Sequence, residues 1–449
     1  ALPISWTWPK KDNGYAVLFD EWAEKDLVAM IHRDRNHPSV IAWSIGNECG
    51  EQGDAARWWI PQMLTDICHR EDPTRPTTAG NDNPWAASQP YAATIDVYGF
   101  NYKPHMYEEF VRNHPGQPVY GSETASCIST RGYYRFPVEQ EKGKGWTMDA
   151  PFQVSSYDLY APGWASKPDY EWEFEDKVPE CAGEFVWTGY DYLGEPTPFN
   201  MDPSVFTNFH TEEEKEAYRK MVAGWGQEIA SVPLPSRSSY FGIMDLAGFP
   251  KDRFWLYQAR WRPELPLAHI LPHWTWPGRE GETTPVHVYT SGDEAELFVN
   301  GKSLGRRKKE GYRIVWDNVV YQPGKVEVIA YKDGKEWARD KVVTTGKPYR
   351  VVLREDYAGA DLVYIRAEVQ DRAGNLVPDA FNTLKISVSG GAAFVAADAG
   401  DPTSHIPFYS SELPAFGGLC SIIVRKEGAS GGAAVTVTSP GLRAATLAL

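Results

Sequence analysis

The stretch that decides the fold runs from Arg33 to Glu48 and reads Arg33-Asp-Arg-Asn-His-Pro-Ser-Val-Ile-Ala-Trp-Ser-Ile-Gly-Asn-Glu48. A helical pattern through Tyr15 to Arg35 ends before His37-Pro38, because proline disfavours helical backbone in the residue before it. The apolar run Val40 to Ile45 is typical of a buried strand, and it closes in the polar residues Asn47 and Glu48. A helix followed by a buried strand is the repeating unit of an α/β fold.

The same unit recurs along the next 140 or so residues. A helix is predicted through Ala55 to His69, and further buried strands are predicted near Pro76 to Ala79, Ile95 to Phe100, Pro118 to Gly121 and Ala182 to Trp187. Each strand stops at a carboxylate, an amide or an aromatic residue, as the active-site rim of a (β/α)8 barrel requires. The pattern therefore predicts TIM-barrel architecture.

The alternation of helices and strands ends in a segment rich in proline and tryptophan near Trp261 to Pro277, after a helix predicted from a capping box at Thr211 toward Ala230. Beyond it the apolar period is two, and Asn300-Gly301 and Asp333-Gly334 are strong hairpin signals. We predict three domains: residues 1–265 in the barrel, 266–347 as a small β-sandwich and 348–449 as an immunoglobulin-like β-sandwich.

Composition excludes several classes of function. The 449 residues carry 45 Lys+Arg against 60 Asp+Glu, and the net charge of −15 argues against a nucleic-acid surface. No apolar run is long enough for a transmembrane helix, so no membrane partner is expected. The five cysteines form no CxxC pair and the ten histidines form no HExxH motif, so neither a disulfide framework nor a dedicated transition-metal site is predicted.

Two carboxylates stand out, because each follows a buried strand. Glu48 and Glu123 are 75 residues apart (123 − 48), which suits three βα units of about 30 residues each. They are thus predicted on strands three apart, at the mouth of the barrel. Glycoside hydrolysis needs two carboxyl groups that flank the scissile bond. From the pattern alone, purely structural carboxylates and a metal-assisted site remain alternatives.

The same segments resemble glycoside hydrolase family 2. The stretch ending at Glu48 resembles its acid/base signature, Tyr120 to Ser126 its nucleophile strand, and Gly183 to Asp191 its eighth strand. Ser238 to Asp245 and Glu296 to Leu304 are similar to the bacterial β-galactosidase branch, which has two extra C-terminal β-domains. The resemblance covers essentially the whole chain.

The resemblance implies a role for each of six residues. Glu48 would be the acid/base and Glu123 the nucleophile. Asn47 would hold the sugar hydroxyl next to the reacting carbon. Tyr102 would donate a hydrogen bond to Glu123, lowering its pKa so that it stays ionised while Glu48 is kept protonated.

The remaining two roles have structural alternatives. Trp187 would form the floor of the sugar pocket, or else pack in the barrel core. Asp191 would bind a sugar hydroxyl, or else act as a structural partner. No residue is assigned as a metal ligand.

The resemblance also implies that this chain holds about strands four to eight of the barrel, followed by the two sandwiches. The preceding strands and N-terminal domains are expected from polypeptide outside this chain, because a barrel with open sheet edges should not fold alone. A homo-oligomer is compatible with the sequence. No cofactor is expected, although a structural or active-site Mg²⁺, Na⁺ or Ca²⁺ ion is compatible with the family. The compartment is left open, with a bacterial periplasmic or secreted setting favoured.

The function implied is that of a retaining exo-β-glycosidase, which removes terminal β-galactosyl residues by double displacement. A β-glucuronidase would be expected to carry an Asn-x-Lys pair after the eighth strand, and Ser236 to Asp252 contains none. Asn101-Tyr102-Lys103 and Asn300-Gly301-Lys302 match the letters but lie elsewhere. A β-glucuronidase, another β-glycosidase of the family and a non-catalytic carbohydrate-binding relic remain the alternatives.

Overall fold

The computed structural model describes residues 6–8, 14–138, 145–146, 151–199, 211–213, 216–217, 220, 236–427 and 432–449. These residues form two compact units. The first combines residues 1–126 with 163–187, and the second combines 127–162 with 188–449. The helix predicted from Thr211 toward Ala230 falls largely outside the described residues.

A five-stranded parallel sheet forms the centre of the first unit. Its strands pair in the order of the sequence: β1 (Trp43–Asn47), β2 (Thr77–Asn81), β3 (Val97–Asn101), β4 (Val119–Ala125) and β5 (Cys181–Trp187). Because all five run the same way, their carboxyl ends lie along one edge. The predicted partial TIM barrel is confirmed.

The helices of the first unit connect these strands, as a parallel sheet requires. Helix α1 (Phe19–Asp34) precedes β1. The helices between successive strands are α2 (Trp59–Glu71), α3 (Pro84–Ala87), α4 (Tyr107–Asn113) and α5 (Pro168–Glu175). Leu27 and Ile31 of α1 and Ile60 and Leu64 of α2 are fully buried in the same core cluster as Ile45 of β1. The spacings of four residues place each helical pair on one face of its helix.

Among its described residues, the second unit contains helix α6 (Asp252–Trp261) and four antiparallel sheets. The first two sheets hold β6 (Ala268–Leu271), β7 (Val286–Thr290) and β10 (Ile314–Trp316), and then β8 (Glu294–Val299), β9 (Lys302–Lys308), β11 (Lys325–Lys332) and β12 (Lys335–Val343). Asn300-Gly301 joins β8 to β9 and Asp333-Gly334 joins β11 to β12, so both predicted hairpins form.

The last two sheets follow in the chain. One has the order β13-β14-β18-β16 and the other β17-β15-β19-β20. Their strands are β13 (Arg350–Ala358), β14 (Leu362–Gln370), β15 (Thr383–Ser389), β16 (Ala392–Asp398), β17 (Glu412–Pro414), β18 (Leu419–Lys426), β19 (Ala434–Thr438) and β20 (Ala445–Ala448). Alternate residues such as Val363 and Ile365 of β14 are buried in one core with Val435 and Val437 of β19. This is β-sandwich packing, as predicted.

All five cysteines are free thiols. In the described part of the chain, no helix has the length and apolar character needed to cross a membrane.

Candidate active site

The candidate site lies in the first unit, where the chain leaves three strands of the parallel sheet. Glu48 follows β1, Tyr102 follows β3, and Glu123 lies within β4. Glu48 and Tyr102 have positive φ angles of 48° and 58°, a conformation that is uncommon for residues with a side chain. Strained backbone of this kind clusters at functional sites, where the surrounding structure enforces it.

Glu123 receives one hydrogen bond on each carboxylate oxygen. The hydroxyl of Tyr102 donates to Oε2 at 2.6 Å, and Nδ2 of Asn47 donates to Oε1 at 2.9 Å. Ser126 Oγ donates in turn to the Tyr102 hydroxyl at 3.1 Å. The ring of Trp164 meets the Tyr102 ring edge to face, with centroids 4.9 Å apart. The carboxylate is thereby held in one orientation.

Glu48 is connected to Glu123 through two amide side chains. Nδ2 of Asn101 lies 3.1 Å from Glu48 Oε1 and 3.1 Å from Asn47 Oδ1. Asn47 then donates to Glu123. Ser122 Oγ donates to Asn101 Oδ1 at 2.6 Å, so the oxygen of that amide also has a partner. The two carboxylates thus share one hydrogen-bonded network.

Burial sets the electrostatics of Glu123. Removal from solvent raises the pKa of its carboxyl group, and the nearby Glu48 raises it further. The hydrogen bonds from Tyr102 and Asn47, together with the nearby Asn101 amide, lower that pKa without cancelling the rise. The lowering by Tyr102 that we expected is therefore present, but the net shift is upward because desolvation is the larger effect.

Tyr102 is itself a firm proton donor. Burial and the neighbouring Glu123 carboxylate raise the pKa of its hydroxyl well above the ordinary value. The phenol therefore keeps its proton throughout the working range of pH. It can donate to Glu123 but cannot act as a base there.

Gly80 gives Asn47 the space that it occupies. A Cβ atom on Gly80 would lie 2.1 Å from Asn47 Oδ1 and 2.9 Å from Asn101 Oδ1, both far inside contact distance. Backbone nitrogen of Glu48 also donates to the Gly80 carbonyl at 2.8 Å. Strand β2 therefore supports the site through a residue that has no side chain.

The other two predicted site residues are Trp187 and Asp191. Trp187 is the last residue of β5 in the first unit, and it is half-buried. Asp191 belongs to the second unit, where it is buried. There its Oδ2 lies 2.6 Å from Lys251 Nζ, and its Oδ1 accepts from the backbone nitrogen of Gly242 at 2.7 Å. Both carboxylate oxygens of Asp191 therefore have partners within the protein, and its role toward a sugar hydroxyl stays a prediction.

Asn101, Ser126, Gly80 and Trp164 were not identified as site residues from the sequence. Asn101 is the one for which a signal existed, because it precedes Tyr102 at the end of a buried strand. The contacts of the other three depend on neighbouring strands and loops. Across the described ranges, no group of three or more His, Cys, Asp or Glu side chains is arranged to hold a metal ion.

Comparison with known families agrees with this geometry. Residues 19–218 match the family 2 glycosyl hydrolase TIM barrel domain, and residues 349–448 match the family 2 C-terminal domain 5. Residues 281–338 match a domain of unknown function. The sheet and its paired carboxylates therefore fall within the TIM-barrel glycoside hydrolases.

Two relatives align with nearly the whole of this chain. The β-galactosidase BoGH2A of Bacteroides ovatus is 35% identical over 98% of this chain and 53% of its own length. A crystal structure of a β-glycosidase from Bacteroides vulgatus superposes with a TM-score of 0.80, at 31% identity, over 99% of this chain and 55% of that one. The chain belongs to glycoside hydrolase family 2.

Specificity differs among the relatives. A β-glucuronidase of Bacteroides fragilis is 24% identical over 76% of this chain and 44% of its own length. The chain spans about half the length of the Bacteroides ovatus and Bacteroides vulgatus relatives. Family membership is thus established, whereas the sugar that is recognised is a separate question.

Proposed function

We propose that this chain carries the catalytic centre of a retaining exo-β-glycosidase that releases terminal β-galactosyl residues. The observation that carries the proposal is the hydrogen-bonded network that joins Glu48 to Glu123 through Asn101 and Asn47. Two linked carboxyl groups at one edge of a parallel sheet supply the pair that glycoside hydrolysis requires.

In the first half of the reaction, Glu123 is the nucleophile. Its carboxylate attacks the anomeric carbon and forms a covalent glycosyl-enzyme, while Glu48 gives its proton to the departing oxygen. Asn47 and Tyr102 orient the carboxylate by donating to its two oxygens. The Asn47 amide is also linked to Glu48 through Asn101, and we assign it to the sugar hydroxyl next to the reacting carbon.

In the second half, a water molecule replaces the aglycone. Glu48, now ionised, takes a proton from that water, which attacks the anomeric carbon and breaks its bond to Glu123. Two inversions give net retention of configuration. The bridging amide of Asn101 contacts Glu48 Oε1, so it can follow the change in charge of that carboxyl group between the two steps.

Two observations support a neutral galactosyl substrate over a glucuronide. The relative with 35% identity is named as a β-galactosidase. Residues 236–252 contain no Asn-x-Lys pair, and Lys251 within them is buried and paired with Asp191. A buried substrate carboxylate without a cationic partner is costly.

A β-glucuronidase is the second candidate, because a relative at 24% identity carries that name. The complete gene product should therefore be assayed on 4-nitrophenyl β-galactoside and 4-nitrophenyl β-glucuronide. We expect the higher kcat/KM on the galactoside. A higher kcat/KM on the glucuronide would overturn the assignment of the sugar while leaving the catalytic pair in place.

Azide rescue separates the roles of the two carboxylates. Glu48→Ala should still form the glycosyl-enzyme from an activated aryl galactoside, and azide should accelerate it to the β-galactosyl azide. Glu123→Ala should lose that intermediate, and any azide product should be the α-anomer. Glu109→Ala, at an exposed carboxylate of α4, is the matched control. The α-azide from Glu48→Ala would reverse the two roles, and a wild-type protein without turnover would support the binding relic.

A further inference from the structure

A cavity of about 620 Å³ lies in the second unit, remote in sequence from Glu48 and Glu123. One wall is the face of the β13-β14-β18-β16 sheet that points away from the sandwich core. On β14, Val363 and Ile365 are buried in that core, while Tyr364 between them lines the cavity. The other wall is the segment 246–249 together with Tyr190. Its volume falls within the range of about 300–1,000 Å³ that small-molecule sites occupy.

Exposed aromatic rings line this cavity. Tyr357 and Tyr364 are cross-strand partners with ring centroids 6.0 Å apart, and their side chains are 61% and 37% exposed. Tyr190 is 58% exposed. A tyrosine ring offers an apolar face and a polar tip, and clustered exposed aromatic surface marks interaction sites. Such faces match the C–H face of a pyranose ring, whose hydroxyl groups point outward around the edge.

The charged groups of the cavity are two aspartates. Asp356 Oδ1 lies 3.2 Å from the guanidinium of Arg366. Oδ2 of Asp398 is buried and has no hydrogen-bond partner among the residues that the structure describes. Backbone N–H groups of Ala399 and Gly400 donate to the same carboxylate, so it is the Oδ2 atom that lacks a donor among the described residues, and a hydroxyl group can supply one. Burial, and after it the charge of Asp245, raises the pKa of Asp398 to about 6.

The residues lining the cavity include no lysine, arginine or histidine. The nearby Arg237 stacks over the ring of Phe408 at 4.7 Å and donates to the Ile406 carbonyl. An anionic ligand would therefore be repelled by the two carboxylates, and no cationic side chain lines the cavity to bind it. A neutral polyol would pack on the aromatic rings and donate hydrogen bonds from its hydroxyl groups to the carboxylates.

We infer that this cavity is a second carbohydrate-binding site, which holds a segment of a neutral glycan by stacking on Tyr357 and Tyr364 and by hydroxyl donation to Asp398. The inference goes beyond the proposed function, because it concerns binding without hydrolysis at a different place in the chain. Such a site would keep the enzyme on a polymeric substrate between cleavage events.

Binding should be measured without turnover. In the complete gene product carrying Glu123→Gln, affinity electrophoresis through soluble β-1,4-galactan reports binding, and polygalacturonate serves as the anionic comparison. We expect retardation by galactan, reduced at least tenfold in affinity by Tyr357→Ala with Tyr364→Ala and by Asp398→Asn. Tyr409→Ala, at a 79% exposed tyrosine that does not line the cavity, should bind as the parent does.

Catalysis and binding can fail separately. With Glu123 restored, both cavity variants should keep kcat on 4-nitrophenyl β-galactoside within twofold, which also shows that they fold. Absence of galactan binding in the parent, binding unaffected by both cavity variants, or stronger retardation by polygalacturonate would each overturn the inference. A loss of thermal stability in the tyrosine variant without glycan binding would indicate a covered protein contact instead, and would also overturn it.

Discussion

The hydroxyl of Tyr102 donates a hydrogen bond of 2.6 Å to Oε2 of Glu123. Both residues are withdrawn from solvent enough for burial to raise their pKa values, and the shared proton stays on the tyrosine. Tyr102 reaches this position through a left-handed backbone conformation at the end of β3. Of the groups around Glu123, Tyr102 lowers the pKa of its carboxyl group most, and it therefore does most to stabilise the ionised form.

Tyr102→Phe should lower kcat/KM about 10- to 100-fold, because a hydrogen bond to a charged group contributes about 1.5–3 kcal/mol and about 1.4 kcal/mol is tenfold. Its pH dependence has a definite sign. Losing the donor raises the pKa of Glu123 further, and the nucleophile works only when ionised, so the acidic limb of kcat/KM should move to higher pH. Tyr170→Phe, at a partly exposed tyrosine of α5, is the control. An acidic limb that stays in place would refute this role.

Asn101→Ala should reduce kcat at least tenfold, since it removes the amide that contacts both Glu48 and Asn47 and leaves Ser122 without its acceptor. A purely structural amide would change stability while sparing kcat in the folded fraction. Steady-state kinetics together with thermal unfolding separate these outcomes. Asn113→Ala, at the exposed end of α4, should alter neither.

Gly80→Ala tests the close approach of β2 to Asn47. A methyl group at 2.1 Å from Asn47 Oδ1 must displace that side chain, so we expect most activity to be lost and the protein to be destabilised by about 1–3 kcal/mol. Gly163→Ala, where the added methyl meets nothing within 4 Å, should be close to wild type in both respects. Equal activity in the two variants would show that Asn47 needs no defined position.

We expect the buried ion pair of Lys251 and Asp191 to affect the free energy of unfolding. Their side chains are 1% and 3% exposed, and breaking such a pair leaves an uncompensated charge at a cost of about 3–5 kcal/mol. Lys251→Met and Asp191→Leu should each cost about that much. The double variant should cost less than the sum of the two by about 1–3 kcal/mol, measured by denaturant unfolding. Additive losses would show that the two groups do not interact.

Much of the fold could be predicted because it depends on local patterns. The apolar runs before Asn47, Asn101 and Glu123 are too short for helices and end in polar residues, and these runs form β1, β3 and β4. The two hairpins follow from Asn-Gly and Asp-Gly dipeptides, which favour the required turn. Glu48 and Glu123 could be selected because each comes just after the apolar part of such a run; Glu48 follows β1, and Glu123 lies within β4, which extends to Ala125.

The finer arrangement depends on contacts between distant residues. Asn101 pairs in register with Glu123 only after an irregularity between Phe100 and Asn101, and no local pattern predicts that shift. The partnership of Asp191 with Lys251 joins residues 60 positions apart in sequence (251 − 191). The assignment of residues 127–162 to the second unit likewise depends on long-range packing. The net pKa shift of Glu123 also required knowledge of its burial.

Covalent labelling tests most directly whether Glu123 is the nucleophile. The complete gene product should be inactivated with an activated 2-deoxy-2-fluoro-β-galactoside, which slows hydrolysis of the glycosyl-enzyme, and then digested for peptide mass spectrometry. We predict one fluorogalactosyl group, attached to Glu123 in the peptide that contains β4, and no label in Glu123→Gln. Stoichiometric labelling of Glu48 or of another carboxylate, with Glu123 unmodified, would contradict the account.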